Sequence, residues 1–203
     1  MILKKQLAIS LSKLKILENF NVDLEQYQSE GELVADILWI ANTNKDIENK
    51  IIADFGCGNG IFGIGALLLG AKKVFFIDID KNSIELTKEN YKSLNLKNGK
   101  FINSYILNFK EKIDTVIMNP PFGVQQEHND KLFLEKAFEV SNSIYSLHKI
   151  ESKKFIEKIS KNNNFKVIKV YPYEFLIKKT QKFHKSDKYY VKVGCWYLKS
   201  IIL

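Results

Sequence analysis

Residues 51–65 read IIADFGCGNGIFGIG: an apolar run ends in Asp54, glycines follow at 56, 58 and 60, and a second apolar run begins. This order suits a buried strand turning sharply into a buried helix, because glycine takes positive φ and lets backbone approach a ligand closely. The free N–H groups and partial positive charge of the helix N-terminus then face the same point. The stretch is a ligand cradle on a β-α unit, and such units build doubly wound sheets.

The rest of the chain repeats the alternation. Patterning predicts a helix over 4–18 and a second opened by a Ser29–Glu32 capping box, with Leu33, Ile37, Leu38 and Ala41 on one face. It then predicts strand 50–55, helix 60–70, strand 73–78, helix 81–94, strands 100–106 and 113–118, helix 131–142, strand 143–148 and helix 151–162. Two strand-like stretches, 165–177 and 188–202, close the chain across a lysine-rich connection. The expected fold is α/β: a seven-stranded, mostly parallel sheet, helices on both faces and a C-terminal antiparallel hairpin at one edge. No linker or repeat divides it, so one domain spans 1–203, with residues 1–45 as a helical cap and 149–203 as a basic C-terminal part.

Several classes drop out. Lys13 and Lys15 interrupt any signal-peptide core, and the longest uncharged run, Phe55 to Ala71, opens with glycines and makes a poor membrane span. A cytoplasmic protein is expected. Two cysteines and three histidines lie far apart, without ligand spacing for a metal. Charge is informative: the net value is +8, yet residues 149–203 hold 14 lysines against 4 acids while the preceding part is near balance. That asymmetry suggests a polyanion surface, with a solvated lysine face as the plain alternative. The chain has no arginine, so any such contact uses lysine point charges.

The cradle is an imperfect dinucleotide fingerprint, because Ile61 stands where a third glycine would follow Gly56 and Gly58. S-adenosylmethionine, with no pyrophosphate, fits better, and Asp54 near its ammonium makes sense. Asp78, 22 positions after Gly56 at the end of VFFIDID, stands where a carboxylate meets ribose hydroxyls. Asp80 reads as a helix cap. Downstream, IMNPPFG (117–123) ends an apolar strand with an amide, two prolines and a ring. The lone pair of an exocyclic amine is delocalised, so a site that accepts its two hydrogens localises that pair and aims the nitrogen. Asn119 and the Pro120 carbonyl supply two fixed acceptors, Pro121 stiffens them, and Phe122 offers a face on which a base stacks. No histidine base is required.

DFGCGNG, VFFIDID and NPPF together resemble the class I, Rossmann-like SAM-dependent amino-methyltransferases. LEQYQSEGELVADIL (24–38), DIENKIIADFGCGNGIFGIGALLLGA (46–71), DTVIMNPPFG (114–123), YSLHK (145–149) and KFHK (182–185) resemble more closely the methyltransferase-like protein five family, of archaeal type, along nearly the whole chain. The resemblance implies methylation of N6 of one adenosine in small-subunit ribosomal RNA. It implies SAM contacts from Gln26 and Ser29, cofactor lining by Gly56, Asn59 and Ile61, and ribose binding by Asp78. It also implies a small zinc-containing activator protein, expected beside the edge strand GKFINSYIL. In place of the family's acid after the third strand this chain has Tyr105, so the Tyr105 or Ile106 backbone is expected to meet the adenine. The full expected site is Asn119, Pro120, Pro121 and Phe122 for catalysis and Gln26, Ser29, Asp54, Gly56, Gly58, Asn59, Gly60, Ile61, Asp78, Tyr105 and Ile106 for the cofactor. Lys149, Lys182, Phe183, His184 and Lys185 are expected on RNA.

Other readings stand beside these. His148 reads as a near-core histidine or an RNA contact, His184 as an RNA contact or part of a solvated loop, and Cys57 as a small residue in a crowded turn. GVQQEHNDK (123–131) reads as a lid. The rival functions are a protein glutamine-amide methyltransferase, a catalytically silent SAM- or RNA-binding module and, more remotely, an NAD-dependent enzyme.

Overall fold

A computed structural model describes residues 2–17, 29–121, 129–178 and 188–201. The chain forms α1 (Lys4–Ser12), α2 (Gly31–Thr43), β1 (Ile51–Phe55), α3 (Ile61–Leu68), β2 (Lys73–Asp78), α4 (Lys81–Ser93), β3 (Gly99–Asn103), β4 (Thr115–Met118), α5 (Asn129–Val140), β5 (Ser143–Lys149), α6 (Lys153–Asn162), β6 (Phe165–Lys178) and β7 (Lys188–Ser200). One seven-stranded sheet runs β3-β2-β1-β4-β5-β7-β6. The first five strands are parallel, and β7 and β6 close the sheet antiparallel. The expected α/β architecture is therefore present, with the predicted strand β3 at one edge. Among the described residues no helix is long and apolar enough to cross a membrane.

Strand alternation divides the apolar residues between two layers. Ile52, Phe76, Ile117, Tyr145, Leu147 and Cys195 face one core, shared with Leu7, Leu11, Val34, Leu38, Ile64 and Ile84 of the first four helices. Ala53, Phe55, Phe75, Ile77, Val116, Met118, Ile144 and Trp196 face the other, packed by Leu134, Phe138, Ile156 and Ile159 of α5 and α6. Burial on both faces explains why these strands read as continuous apolar runs.

Three local expectations differ, the first being that α1 ends at Ser12 and not at 18, because the Lys13 and Leu14 N–H groups turn back onto the Ser10 (3.3 Å) and Leu11 (3.2 Å) carbonyls. The Ser29–Glu32 capping box does not form: α2 starts at Gly31 after Glu30, whose side chain makes no cap bond. A Cβ on Gly31 would stand 2.3 Å from Ser12 Oγ, so α2 opens where its backbone meets the end of α1. Strand β3 stops at Asn103, short of 106, because the Asn103 amide turns onto the carbonyls of Asp78 (3.1 Å) and Ile79 (2.9 Å). A single 3₁₀ turn, Ile106–Asn108, follows.

The closing hairpin outruns the sheet. The last β5–β7 pair is Lys149 with Val193, while β6 and β7 continue through five further pairs, Glu174–Lys192 to Lys178–Lys188. Since β5 ends at the carboxyl edge, this two-stranded ribbon projects about 17 Å beyond that edge at ~3.4 Å per residue.

Candidate active site

The carboxyl ends of β1, β2, β4 and β5 meet above the sheet centre, where β1 lies between β2 and β4. At β1 the chain turns through Gly56, Gly58 and Gly60, all at positive φ (66°, 55° and 83°). Two of these glycines do different jobs. A Cβ on Gly60 would lie 2.6 Å from the Thr87 methyl carbon, whereas a Cβ on Gly58 would meet nothing within 4 Å. Gly60 is small for packing against α4; Gly58 borders open space, as a backbone cradle for a ligand must.

The loop is braced from below. Gly56 and Cys57 donate to the Ile77 carbonyl (2.9 and 3.1 Å), and Gly60 to Cys57 (2.7 Å). Thr87 donates to the Gly58 carbonyl at 2.8 Å. Asn59 is buried, with its side-chain amide donating to the Lys15 carbonyl at 3.1 Å; Asn90 donates to that carbonyl (3.1 Å) and to the Asn59 carbonyl (2.9 Å). The Asn59 amide thus ties the chain leaving α1 to the cradle. Ile61, the first residue of α3, is buried in the core beneath the loop. Cys57 is buried too, with Sγ 3.6 Å from Thr87 Oγ1, consistent with a small residue in a crowded turn.

Two acids close the cradle. Asp78 accepts from Gly58 N–H on one oxygen and from Asp80 N–H on the other, both at 2.9 Å. With a further backbone bond from Ile79, the carboxylate still keeps acceptor capacity for a hydroxyl donor. Burial raises its carboxyl above the ordinary aspartate range. Asp80 caps α4 through Asn82 N–H at 2.9 Å, as its position implied. Asp54 accepts from Gly63 N–H at 2.8 Å. Burial pushes its carboxyl up to about 8, the Gly63 bond opposing this and the Asp78 charge adding to it.

Because the folded value of Asp54 lies above the ordinary value of about 3.9, the folded chain holds this proton more tightly than the unfolded chain. The resulting stability is complete below the unfolded value and is lost as pH rises toward about 8. The isosteric variant Asp54→Asn should therefore melt higher than wild type without ligand, by a margin that grows from pH 5 to pH 8 and then levels off. Thermal melts across that range check it; a pH-independent difference would contradict it.

At β4 the arrangement is equally specific. Asn119 donates its side-chain N–H to Ser29 Oγ at 3.1 Å. Its Oδ1 is buried yet accepts no hydrogen bond among the described residues. A buried amide oxygen without a donor is costly, so a site that keeps one is shaped for a donor from elsewhere. Ser29, freed from capping, sits beside the strand end from which the acceptors project. Pro120 is buried and Pro121 half-buried. Phe122 lies outside the described residues, as do Gln26, Lys182, Phe183, His184, Lys185 and most of the expected lid.

Beyond β3, Tyr105 is 41% exposed, while Ile106 is buried in the core with its carbonyl bound by Phe109 N–H. Tyr105, Ser104, Ile77 and Ile102 line a cleft of about 440 Å³ that reaches down to Phe109. Lys149 is half-buried at the end of β5. Its neighbour His148 is 1% exposed, which favours the near-core reading. Burial lowers its imidazole to about 3, so it is neutral at physiological pH and is a weak base there.

A family model described as the methyltransferase small domain matches residues 35–144, from α2 into β5. The chain belongs to the methyltransferase small-domain family. Among its relatives, the uncharacterized protein MJ0284 of Methanocaldococcus jannaschii is 39% identical over 197 residues, covering 92% of this chain and 89% of that protein. The rRNA N(6)-adenosine-methyltransferase METTL5 of Danio rerio is 32% identical, covering 93% and 95%. The crystal structure of PH1948 from Pyrococcus horikoshii superposes with a TM-score of 0.92 at 39% identity, each chain covered in full.

In this small-domain methyltransferase the residues that brace the cradle from α4, Thr87 and Asn90, escaped the sequence reading. They lie three apart on one helix face, but nothing in their spacing separates a brace from an ordinary polar residue. Phe133 was missed as well: its ring carbon would lie 3.3 Å from a Cβ on Gly56, so α5 is seated against the cradle.

Proposed function

We propose that this protein transfers a methyl group from S-adenosylmethionine to N6 of an adenosine in RNA, with small-subunit ribosomal RNA as substrate. The observation that carries the reading is the Asn119 Oδ1 at the carboxyl end of β4, without a donor among the described residues and beside the cradle that opens at Gly58. The residues fit the cofactor: Gly58 leaves room for it, Asp78 retains acceptor capacity for ribose hydroxyls, Asp54 lies beneath the loop for an ammonium, and the Tyr105 cleft has the volume for a ring. Gln26, Ser29, Gly56, Asn59, Gly60, Ile61 and Ile106 complete the assignment, Asn59 and Ile61 chiefly by holding the loop. When bound, the cofactor supplies an electrophilic methyl on a sulfonium.

The chain's own work is orientation. Asn119 Oδ1 and the Pro120 carbonyl accept the two N6 hydrogens, which localises the nitrogen lone pair toward the methyl carbon. The Gly58 cradle and Asp78 would hold the cofactor so that its methyl passes to the nitrogen and the electrons of the broken bond stay on sulfur, and the product amine would shed its proton to water. Phe122 stacks the adenine, which must leave its helix or come from a loop.

RNA as the substrate class is supported by the activity for which the Danio rerio METTL5 relative is named and by charge placement. The ribbon that passes the carboxyl edge carries Lys178, Lys188 and Lys192, and its connection holds Lys182, Phe183, His184 and Lys185. With Lys149 at the ribbon's base, these residues receive phosphates. β3, which among the described residues pairs with β2 alone, is the edge on which a zinc-containing activator adds a strand.

Labelled methyl transfer from SAM to purified small-subunit rRNA, beside a release-factor protein, separates RNA from glutamine-amide substrates. Label should enter RNA, and its rate should fall as salt rises, because phosphate contacts release counterions. Label in protein alone would overturn the reading.

A further inference from the structure

The mechanism above leaves a cluster of polar side chains on β5 unused. Ser146 and His148 project from the same face of β5, and Ser146 Oγ lies 2.7 Å from His148 Nε2. On the other side of the ring, Nδ1 lies 4.0 Å from Asp130 Oδ2, in the first turn of α5. The order Ser, His, Asp is that of a nucleophilic triad, but Ser146 and His148 are buried to 0% and 1% exposure, so no substrate reaches the hydroxyl. Only Asp130, its side chain 20% exposed, borders solvent.

The place of this cluster gives it a different use. β4 and β5 are paired in register with Met118 opposite Ser146, so two residues further on Pro120, just past the end of β4, comes level with His148 near the end of β5. Asp130 begins the helix into which the chain returns after the NPPF segment, and one turn later Phe133 rests against Gly56. The imidazole therefore stands between the strand end that presents the acceptors and the helix that packs the cradle.

We propose that His148 is a positioning residue for methyl transfer: with its ring fixed by Ser146, it draws Asp130 and the first turn of α5 toward β5 and so sets where Asn119 and Pro120 stand. The 4.0 Å approach is longer than a hydrogen bond and shortens to one when substrate fills the site, as polar contacts at active sites commonly do. A neutral ring assigns the protons: Ser146 donates to Nε2, and Nδ1–H faces the carboxylate. His148 touches neither substrate nor cofactor in this account, and the account rests on the methyl-transfer reading.

Three variants test it: Asp130→Ala, His148→Gln, which removes the Nδ1 donor, and His148→Asn, whose amide nitrogen occupies nearly the Nδ1 position. Asp130→Ala and His148→Gln should each lower kcat on rRNA at least tenfold while KM for SAM stays within twofold. His148→Asn should recover most of the loss, and the Asp130→Ala, His148→Gln double variant should be no slower than either single one. Independently of turnover, the Asn119 side-chain amide resonances should move in Asp130→Ala and stay in place in Lys131→Ala, an exposed neighbour. Should the buried His148 variants fail to fold, Asp130→Ala alone decides, since its side chain borders solvent. A kcat within twofold of wild type, multiplying effects in the double variant, or an unmoved Asn119 amide would each overturn the proposal. If wild type transfers no methyl group to rRNA but the Asn119 amide responds to Asp130→Ala, the substrate assignment fails and the positioning role stands.

Discussion

Asn119→Ala should slow methyl transfer to RNA by at least about a hundredfold, the scale on which removing one preorganised polar group at a reacting centre acts. SAM binding should persist. The expectation follows from where the Asn119 amide is already committed. Its nitrogen is held by Ser29, so the side chain has one orientation, and its oxygen has no donor within the described protein. Truncation removes an acceptor that no donor among the described residues uses, so the loss falls on the step that needs it. Single-turnover transfer with saturating cofactor, paired with calorimetric titration of SAM, measures the two quantities separately. Undiminished turnover would contradict the assigned role, and so would a loss of SAM affinity as large as the loss of rate.

Gly58→Ala and Gly60→Ala should fail in opposite ways, although both glycines sit at positive φ two positions apart in the same loop. Forcing alanine into the left-handed region costs about 1–2 kcal/mol at either position. At Gly60 the new methyl also meets Thr87, a contact of 2.6 Å with a side chain that already bonds the Gly58 carbonyl. Overpacking of that kind adds about 1–3 kcal/mol, so Gly60→Ala should show the larger fall in melting temperature. At Gly58 the methyl meets no protein atom and enters the ligand space. Gly58→Ala should therefore stay folded but lose at least about tenfold in SAM affinity, or 1.4 kcal/mol. Melting curves and SAM titrations of both variants check this; equal SAM affinity for Gly58→Ala and wild type would place the cofactor elsewhere.

The β-α alternation was legible because strands buried on both faces are apolar without interruption, and the glycine loop because few other structures need glycine at alternate positions. Asp78, Asp80 and Asn119 were legible for a related reason: each lies at the end of an apolar run, where side chains leave the core and meet ligands or caps. What patterning misjudged was contact between distant segments. Ser29 looked like a cap because Glu32 follows at capping-box spacing, yet its partner, Asn119, is 90 residues away, just past the end of β4. Asn59, which the family resemblance sets against the cofactor, also gives its amide to the Lys15 carbonyl, 44 residues before it, and no local pattern announces that bond. Thr87, Asn90 and Asp130 carry no local signature, because their value comes only from what the fold places beside them.

The most direct test of the central claim is nucleoside mass spectrometry of small-subunit rRNA incubated with the protein and deuterated-methyl SAM, with fragment mapping of the label. The account predicts N6-methyladenosine at one adenosine in the wild-type reaction and none with Asn119→Ala. Label on a base other than adenine, at a ring nitrogen or ribose oxygen, or equally in both reactions would contradict it.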